Sequence, residues 1–108
     1  MRFGLKEETI AAVNGVFRSH PAIACAILYG SRAKGDFKTG SDIDLALEGD
    51  GICFEDLAKV EQELDDLLLP YTFDISVFRQ LTHPGLLDHI RRVGVTFYQR
   101  DVKRADEV

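Results

Sequence analysis

A glycine-serine pair and two closely spaced carboxylates could do chemistry together in this chain. Gly30 and Ser31 end one apolar run, and Asp42 and Asp44 belong to the next one. On a β-strand, residues two apart point to the same side, so the two carboxylates repel each other unless a proton or a cation lies between them. For carboxylate oxygens near phosphate the usual cation is Mg²⁺. The pattern therefore predicts metal-assisted transfer from a nucleoside triphosphate.

A third carboxylate joins this pair if the later apolar segment at residues 71–78 is also a strand. Its apolar side chains alternate with polar ones, and Asp74 is one of the polar set. If the apolar sides of both strands face the helices, then Asp42, Asp44 and Asp74 converge on the opposite, open side of the sheet. Two Mg²⁺ ions held about 4 Å apart could then neutralise phosphate charge, align the reacting groups and activate an acceptor hydroxyl.

The pair Gly30 and Ser31 stands where the first predicted strand gives way to a short helix. Glycine lets the main chain approach a ligand closely, and unpaired amides and the Ser31 hydroxyl could hold the terminal phosphates. Arg32 and Lys34 are further candidates for the phosphate or pyrophosphate, although we do not expect both to point inward. The residues after this turn lack the Lys and the Ser or Thr of a P-loop, which argues against a P-loop NTPase.

The elements that must position these residues follow from the spacing of apolar side chains. Helical spacing predicts amphipathic helices, and alternating or continuous apolar runs predict strands. The predicted helices are residues 5–19, 54–69 and 83–93 with a short one from residue 31, and the predicted strands are residues 22–29, 42–48, 71–78 and 95–99. Pro70 is expected to end the second long helix. This order indicates an α/β or α+β fold, a small mixed sheet with helices packed mainly on one face.

Size and charge narrow the range of functions. The 108 residues fit one domain, residues 1–108. The net charge of -5 argues against a protein that follows a nucleic-acid backbone by broad electrostatic attraction, but it permits a small charged substrate held by local groups and metal ions. No stretch approaches membrane-spanning length, and the N-terminus becomes acidic where a signal peptide would be apolar, so we expect a cytoplasmic location.

The three histidines show no spacing typical of a metal site. His20 precedes a proline, His83 stands at a predicted helix start, and His89 lies within that helix. We expect ordinary surface roles for all three. The acidic residues of the helix at 54–69 are typical of a solvated helix face, with a surface for a basic partner as the alternative.

Two stretches of the sequence resemble a known family. The residues Gly-Ser-Arg-Ala-Lys-Gly at 30–35, then five others, then Ser-Asp-Ile-Asp-Leu at 41–45, resemble the signature of the polymerase-β-type nucleotidyltransferase superfamily. The chain is also similar to the minimal branch of this superfamily, the minimal nucleotidyltransferase (MNT) domain proteins, in its short length and in the residues Tyr-Thr-Phe-Asp-Ile at 71–75. Within that branch it resembles the MntA-like antitoxins, which are often paired with a helical HEPN protein. The resemblance covers about residues 22–99.

The resemblance implies a polymerase-β-like nucleotidyltransferase fold and Mg²⁺-dependent transfer of a nucleoside monophosphate, typically AMP from ATP, to a hydroxyl. By match to the motif, Asp42, Asp44 and Asp74 would be the metal-binding and catalytic triad, and Gly30 and Ser31 the phosphate-binding pair. In several such pairs the MNT protein is an antitoxin that adenylylates a tyrosine of its HEPN toxin, which implies a HEPN-type partner encoded nearby.

The hydroxyl group that accepts the nucleotide is expected on another polypeptide, because few residues remain to bind a second substrate once the core is packed. Larger relatives carry an added acceptor-binding domain. Two alternatives stay open for this chain. It could be a non-catalytic subunit that binds and neutralises a partner. It could instead transfer a nucleotide to a small molecule such as an aminoglycoside, in which case a second subunit of a homo- or hetero-oligomer would complete the acceptor-binding site.

Overall fold

Four helices and four strands occupy the part of the chain that the structure, a computed structural model, describes: residues 1–38 and 40–100. The helices are α1 (Glu7–Arg18), α2 (Ser31–Lys34), α3 (Phe54–Asp66) and α4 (Pro84–Val93). The strands are β1 (Cys25–Tyr29), β2 (Ile43–Glu48), β3 (Phe73–Val77) and β4 (Val95–Gln99), with a 3₁₀ turn at Phe78–Gln80. Every predicted element is present, and the ends differ by a few residues.

One end differs for a visible reason. The helix α3 was expected to continue up to Pro70, but it ends at Asp66, and Leu68 already has a left-handed main-chain conformation with a φ of 56°. A leucine in that conformation cannot continue a right-handed helix. The proline therefore follows the helix end at a distance and does not cause it.

The four strands form one mixed sheet in the order β3-β2-β1-β4. The strand β1 pairs antiparallel with both β2 and β4, whereas β2 and β3 run parallel and are joined by α3, as a parallel crossover requires. In this register Asp44 lies opposite Asp74 on one side and opposite Tyr29 on the other. Directly opposed residues point to the same face, so these three side chains share one face across three neighbouring strands.

The helices α1 and α3 pack on the other face of the sheet, which carries the main hydrophobic core. The alternating apolar residues predicted for β2 and β3 face these helices, so the predicted orientation of the two strands is confirmed. The buried core residues of the sheet and of the two helices include Leu28, Ile43, Leu45, Leu47, Ile75 and Val77 from the strands and Ile10, Val13, Phe17, Val60 and Leu64 from the helices.

The helix α4 covers part of the face that was expected to be open. Its Ile90 is 3% exposed and packs in a second, smaller apolar cluster with Tyr29 and Ala46. The reason is that these sheet residues are apolar and also need burial, which α4 supplies. The same face still leaves Asp42 and Asp74 exposed. The face therefore has a covered part under α4 and an uncovered part at the aspartates.

None of the helices in the described residues is long and apolar enough to cross a membrane. The cytoplasmic location stays a prediction. The single domain over residues 1–108 also stays a prediction, and residues 101–108 lie outside the part of the chain that the structure describes.

Candidate active site

Three aspartates belong to the region where the parallel strands β2 and β3 begin. Asp44 and Asp74 are direct neighbours in the parallel register, and Asp42 stands two residues before Asp44. Asp44 is partly buried, whereas Asp42 and Asp74 are exposed. The structure thus places Asp44 beside Asp74 and near enough to Asp42 for their charges to interact, and the catalytic role of the three stays a prediction.

The carboxyl group of Asp44 holds its proton more strongly than an ordinary aspartate. Burial raises the pKa of Asp44, and the nearby charges of Asp74 and Asp42 raise it further, while His89 acts in the opposite direction. A partly buried carboxylate that two like charges oppose is stabilised by any cation that binds between them. The electrostatics of this site therefore favour binding of a positive ion.

These carboxylates fit one particular kind of metal site. Within residues 1–38 and 40–100, no three His, Cys, Asp or Glu side chains are gathered closely enough to hold a metal ion by themselves. Mg²⁺ does not require such a set, because it is usually bound through one or two carboxylates together with substrate phosphates and water. Asp44 and Asp74 fit a site of that kind, since they are adjacent in register and their charges interact. Metal binding by Asp42, Asp44 and Asp74 stays a prediction.

The main chain turns sharply at Gly30, between β1 and α2. Gly30 has φ 76° and ψ -158°, a conformation that essentially only glycine adopts. A Cβ atom at this position would collide with the carboxylate of Asp44 and lie 3.3 Å from its Cγ. The turn therefore lies directly against Asp44, the position that a phosphate-binding turn of this site would need.

The amide of Gly30 is already engaged within the protein. It donates a hydrogen bond to Nε2 of His89 over 3.2 Å. Phosphate binding by the Gly30 and Ser31 pair stays a prediction, and it would have to use the Ser31 hydroxyl and the amides that follow it. Ser31 is partly buried and is the first residue of α2, and the first amides of a helix have no acceptor within it.

Arg32 points into the protein, not toward a substrate. The residue is only 3% exposed, and its guanidinium donates to the carbonyl oxygens of Phe3 at 2.8 Å and of Ser41 at 2.9 Å. The same group lies over the rings of Phe37 and Tyr71, 5.1 Å and 5.0 Å from their centroids. Arg32 therefore ties the N-terminal segment to the segment that leads into β2, and this structural role replaces the phosphate contact expected from the sequence.

We expect Arg32→Ala to lower the free energy of unfolding by about 3 kcal/mol, because it leaves two carbonyl oxygens without their donor and removes a side chain packed between two rings. Denaturant unfolding followed by circular dichroism measures this change. Lys34→Ala is the matched control, because Lys34 is exposed and its Nζ lies 3.5 Å from the Asp36 carboxylate. The control should stay within about 0.5 kcal/mol of the parent. Parent-like unfolding of Arg32→Ala with a raised KM for ATP would instead indicate a phosphate ligand.

The surface role expected for His89 is wrong. Besides the bond to Gly30, its ring stands edge-on to the ring of Tyr29, with centroids 6.2 Å apart. The sequence did contain a signal: His89 stands three residues after Leu86 and next to Ile90, on the apolar stripe of α4. Spacing typical of metal ligands, the criterion applied to the histidines, does not detect a hydrogen bond to the main chain.

The other two histidines also have defined partners. His20, whose side chain is 11% exposed, lies 3.0 Å from a carboxylate oxygen of Glu63 and so joins the end of α1 to α3. His83 accepts the amide hydrogen of Leu86 at Nδ1 over 3.1 Å and caps α4. Both roles are structural, and neither residue belongs to the aspartate site.

Comparisons with known proteins identify the family. Asp44 on β2, Asp42 just before that strand, Asp74 on the parallel neighbour β3 and the glycine-serine turn against Asp44 form the pattern expected of a nucleotidyltransferase of the polymerase β class. Residues 11–103 match the family model described as "Polymerase beta, Nucleotidyltransferase". Because the match spans most of the chain, this chain belongs to the polymerase β nucleotidyltransferase family, as the sequence signature predicted. No curated protein matches it.

Solved structures of similar fold come from toxin-antitoxin complexes. A toxin-antitoxin crystallised with AMP-PNP contains a chain that matches with a TM-score of 0.68 and 21% identity, over 89% of this chain and 75% of that one. A complex of a tri-AMPylated Shewanella oneidensis HEPN toxin with its MNT antitoxin gives 0.66 and 16%, over 89% and 74%. The toxin-antitoxin MntA-HepT gives 0.65 and 16%, over 88% and 74%. These likenesses confirm the predicted fold.

Proposed function

We propose that this chain is a Mg²⁺-dependent nucleotidyltransferase that transfers AMP from ATP to a hydroxyl group of a partner protein. The observation that carries the proposal is the register of β2 with β3, which sets Asp44 beside Asp74 while the Gly30 turn lies against Asp44. Family membership supports nucleotidyl transfer. The neighbour crystallised with AMP-PNP supports an adenine nucleotide as the donor.

We assign metal binding, phosphate binding and proton acceptance in this transfer to different side chains of the site. Asp42, Asp44 and Asp74 would hold Mg²⁺, which when bound neutralises phosphate charge and favours ionisation of the acceptor hydroxyl. The Ser31 hydroxyl donates a hydrogen bond to a terminal phosphate oxygen. The acceptor oxygen bonds to the α-phosphorus as the bond to the bridging oxygen breaks, and pyrophosphate leaves with that electron pair. The hydroxyl proton passes to a carboxylate, for which the exposed Asp74 is the candidate.

The acceptor partner is proposed to be a HEPN-type toxin, with this chain as its antitoxin. The similar structures include an MNT antitoxin bound to a tri-AMPylated HEPN toxin and the pair MntA-HepT. The exposed position of two of the three aspartates is consistent with a large acceptor. A cavity of about 520 Å³ lies between α3 and the start of β3, but none of the three aspartates lines it. Asp42 and Asp74 face solvent, where a hydroxyl carried on another protein can reach them.

Incubation with α-labelled ATP, Mg²⁺ and the product of the neighbouring gene tests the proposal. We expect label on that partner, and we expect the double variant Asp42→Asn with Asp44→Asn to remove it. Asp65→Asn, an exposed aspartate on α3, is the control and should label as the parent does. An unlabelled partner would contradict the proposal. Full neutralisation of the partner by the double variant would indicate a binding subunit, and label on an aminoglycoside would indicate a small-molecule acceptor.

A further inference from the structure

We propose that His89 is a positioning residue for the nucleotide site, because it fixes the orientation of the Gly30 turn. The inference rests on the proposed function and deepens it, since it assigns to α4 a part in nucleotide binding. His89 does not touch the reacting atoms. It acts through Gly30, whose amide hydrogen it accepts.

Two contacts hold the His89 ring at the end of β1. The amide of Gly30 donates to Nε2 over 3.2 Å, and the ring meets Tyr29 edge-on at 82°, with the centroids 6.2 Å apart. Tyr29 is 7% exposed and belongs to the apolar cluster that α4 closes. Because the two contacts involve consecutive residues of the main chain, the ring is tied to the peptide group that links Tyr29 and Gly30.

That peptide group stands at the start of the turn. Glycine has more main-chain freedom than any other residue, and Gly30 stands in a conformation that neither a helix nor a strand maintains. Rotation of the peptide group between Tyr29 and Gly30 would change where the turn presents Ser31. It would also disturb the Asp44 carboxylate, which lies against Gly30. The hydrogen bond to His89 selects one orientation of this peptide group.

Contacts other than those of His89 also hold α4 in place. Ile90 is packed against the sheet, and His83 caps the start of the helix through its bond to the Leu86 amide. His89 itself is only partly buried. A variant at position 89 should therefore keep the helix in place while it removes the acceptor for the Gly30 amide, together with the ring contact to Tyr29 and the electrostatic effect on Asp44.

The geometry also assigns a tautomer to His89. A neutral imidazole accepts a hydrogen bond at Nε2 only when its proton is on Nδ1. Nitrogen NMR of the ring at alkaline pH measures the tautomer without any need for enzymatic activity. We expect the Nδ1–H form in the parent, and we expect the Gly30 amide to exchange with solvent about tenfold faster in His89→Leu. An Nε2–H ring, or unchanged exchange at Gly30, would overturn the proposal.

The functional test compares two variants at this position with a control on the same helix. We expect His89→Leu to raise the KM for ATP about tenfold with a smaller change in kcat, and His89→Gln to recover part of that loss, because its side-chain oxygen can accept the Gly30 amide hydrogen. Asp88→Asn, at an exposed position on α4, should keep the parent KM. Equal KM values for His89→Leu and the parent would overturn the positioning role.

The two proposals can fail separately. If the parent transfers no label to any acceptor, calorimetric titration with AMP-PNP and Mg²⁺ replaces the KM as the measure of nucleotide binding. Weaker binding of AMP-PNP by His89→Leu, with recovery in His89→Gln, would then support the positioning role although transfer had failed. Equal binding by all the variants would overturn it.

Discussion

The variant Asp44→Asn is expected to lose at least about a thousandfold in kcat/KM and to be more stable than the parent at neutral pH. The loss follows because the metal-dependent stabilisation of phosphate charge amounts to several kcal/mol, and about 1.4 kcal/mol corresponds to a factor of ten in rate. The gain follows because the ionised Asp44 is partly buried and opposed by Asp74 and Asp42. Transfer of label and denaturant unfolding measure the two effects on one sample.

The stability effect has a definite dependence on pH. Burial and neighbouring charges raise the pKa of Asp44 in the folded protein, so the folded state binds this proton more tightly than the unfolded state does. The contribution of Asp44 to the stability of the parent is therefore fully present below the ordinary pKa of an aspartate, and it is lost as the pH rises through the raised pKa of the folded state. Asparagine carries no charge at any of these pH values. The advantage of Asp44→Asn should appear at neutral pH and vanish in acid.

Control measurements separate this effect from a general change of charge. Asp65→Asn removes the same charge from an exposed position on α3 and should keep both activity and stability, the latter within about 0.5 kcal/mol. Unfolding is measured first without Mg²⁺ and nucleotide. Adding Mg²⁺ with AMP-PNP should then stabilise the parent more than Asp44→Asn. A variant that transfers label normally, or that is less stable than the parent at neutral pH, would contradict the assignment.

The second large effect is expected for Gly30→Ala, which should lower the free energy of unfolding by about 3 kcal/mol and abolish detectable transfer. Any residue with a side chain is strained at φ 76° and ψ -158°, at a cost of about 1–3 kcal/mol. The added methyl group also collides with the Asp44 carboxylate, so the turn or the aspartate must move. Unfolding curves and the transfer assay with labelled ATP measure both consequences.

A second glycine provides the matched control for this substitution. Gly15 lies inside α1, and a Cβ there meets no other described atom within 4 Å beyond its own helix. Gly15→Ala should therefore raise the free energy of unfolding by about 0.5–1 kcal/mol, because alanine loses less conformational entropy in a helix than glycine does. Normal transfer by Gly30→Ala, or equal stability changes in the two variants, would show that the turn does not need glycine.

The sequence predicted the elements and the shared face of the aspartates because burial imposes a period on apolar residues. Leu45 and Ile75 must both enter the core, and this requirement directs Asp44 and Asp74 to the opposite side. The direct pairing of Asp44 with Asp74 was beyond such reasoning. It depends on which strands become neighbours and on how the α3 crossover aligns them, and neither is a local property of the sequence.

The contacts that the sequence did not reveal join residues far apart in the chain. The position of Arg32 on α2 gave no sign that the carbonyl oxygens of Phe3 and Ser41 converge on its guanidinium. The apolar stripe of α4 predicted that this helix packs against the sheet. It did not predict which face, because both faces of the sheet carry apolar residues. The choice of face decided that His89 meets Gly30, and only the tertiary structure contains that choice.

The strand order gives the reaction centre an inner and an outer end. The strand β3 is the outermost strand on its side of the described sheet, so Asp74 stands at the rim, whereas Asp44 lies on an interior strand beside Gly30. In the proposed reaction, this arrangement favours ATP at the inner end, beside the Gly30 turn, and an acceptor that approaches from the rim. A folded protein can present a side-chain hydroxyl along that margin without threading a loop into a deep cleft. Such lateral access sets no upper limit on the size of the acceptor.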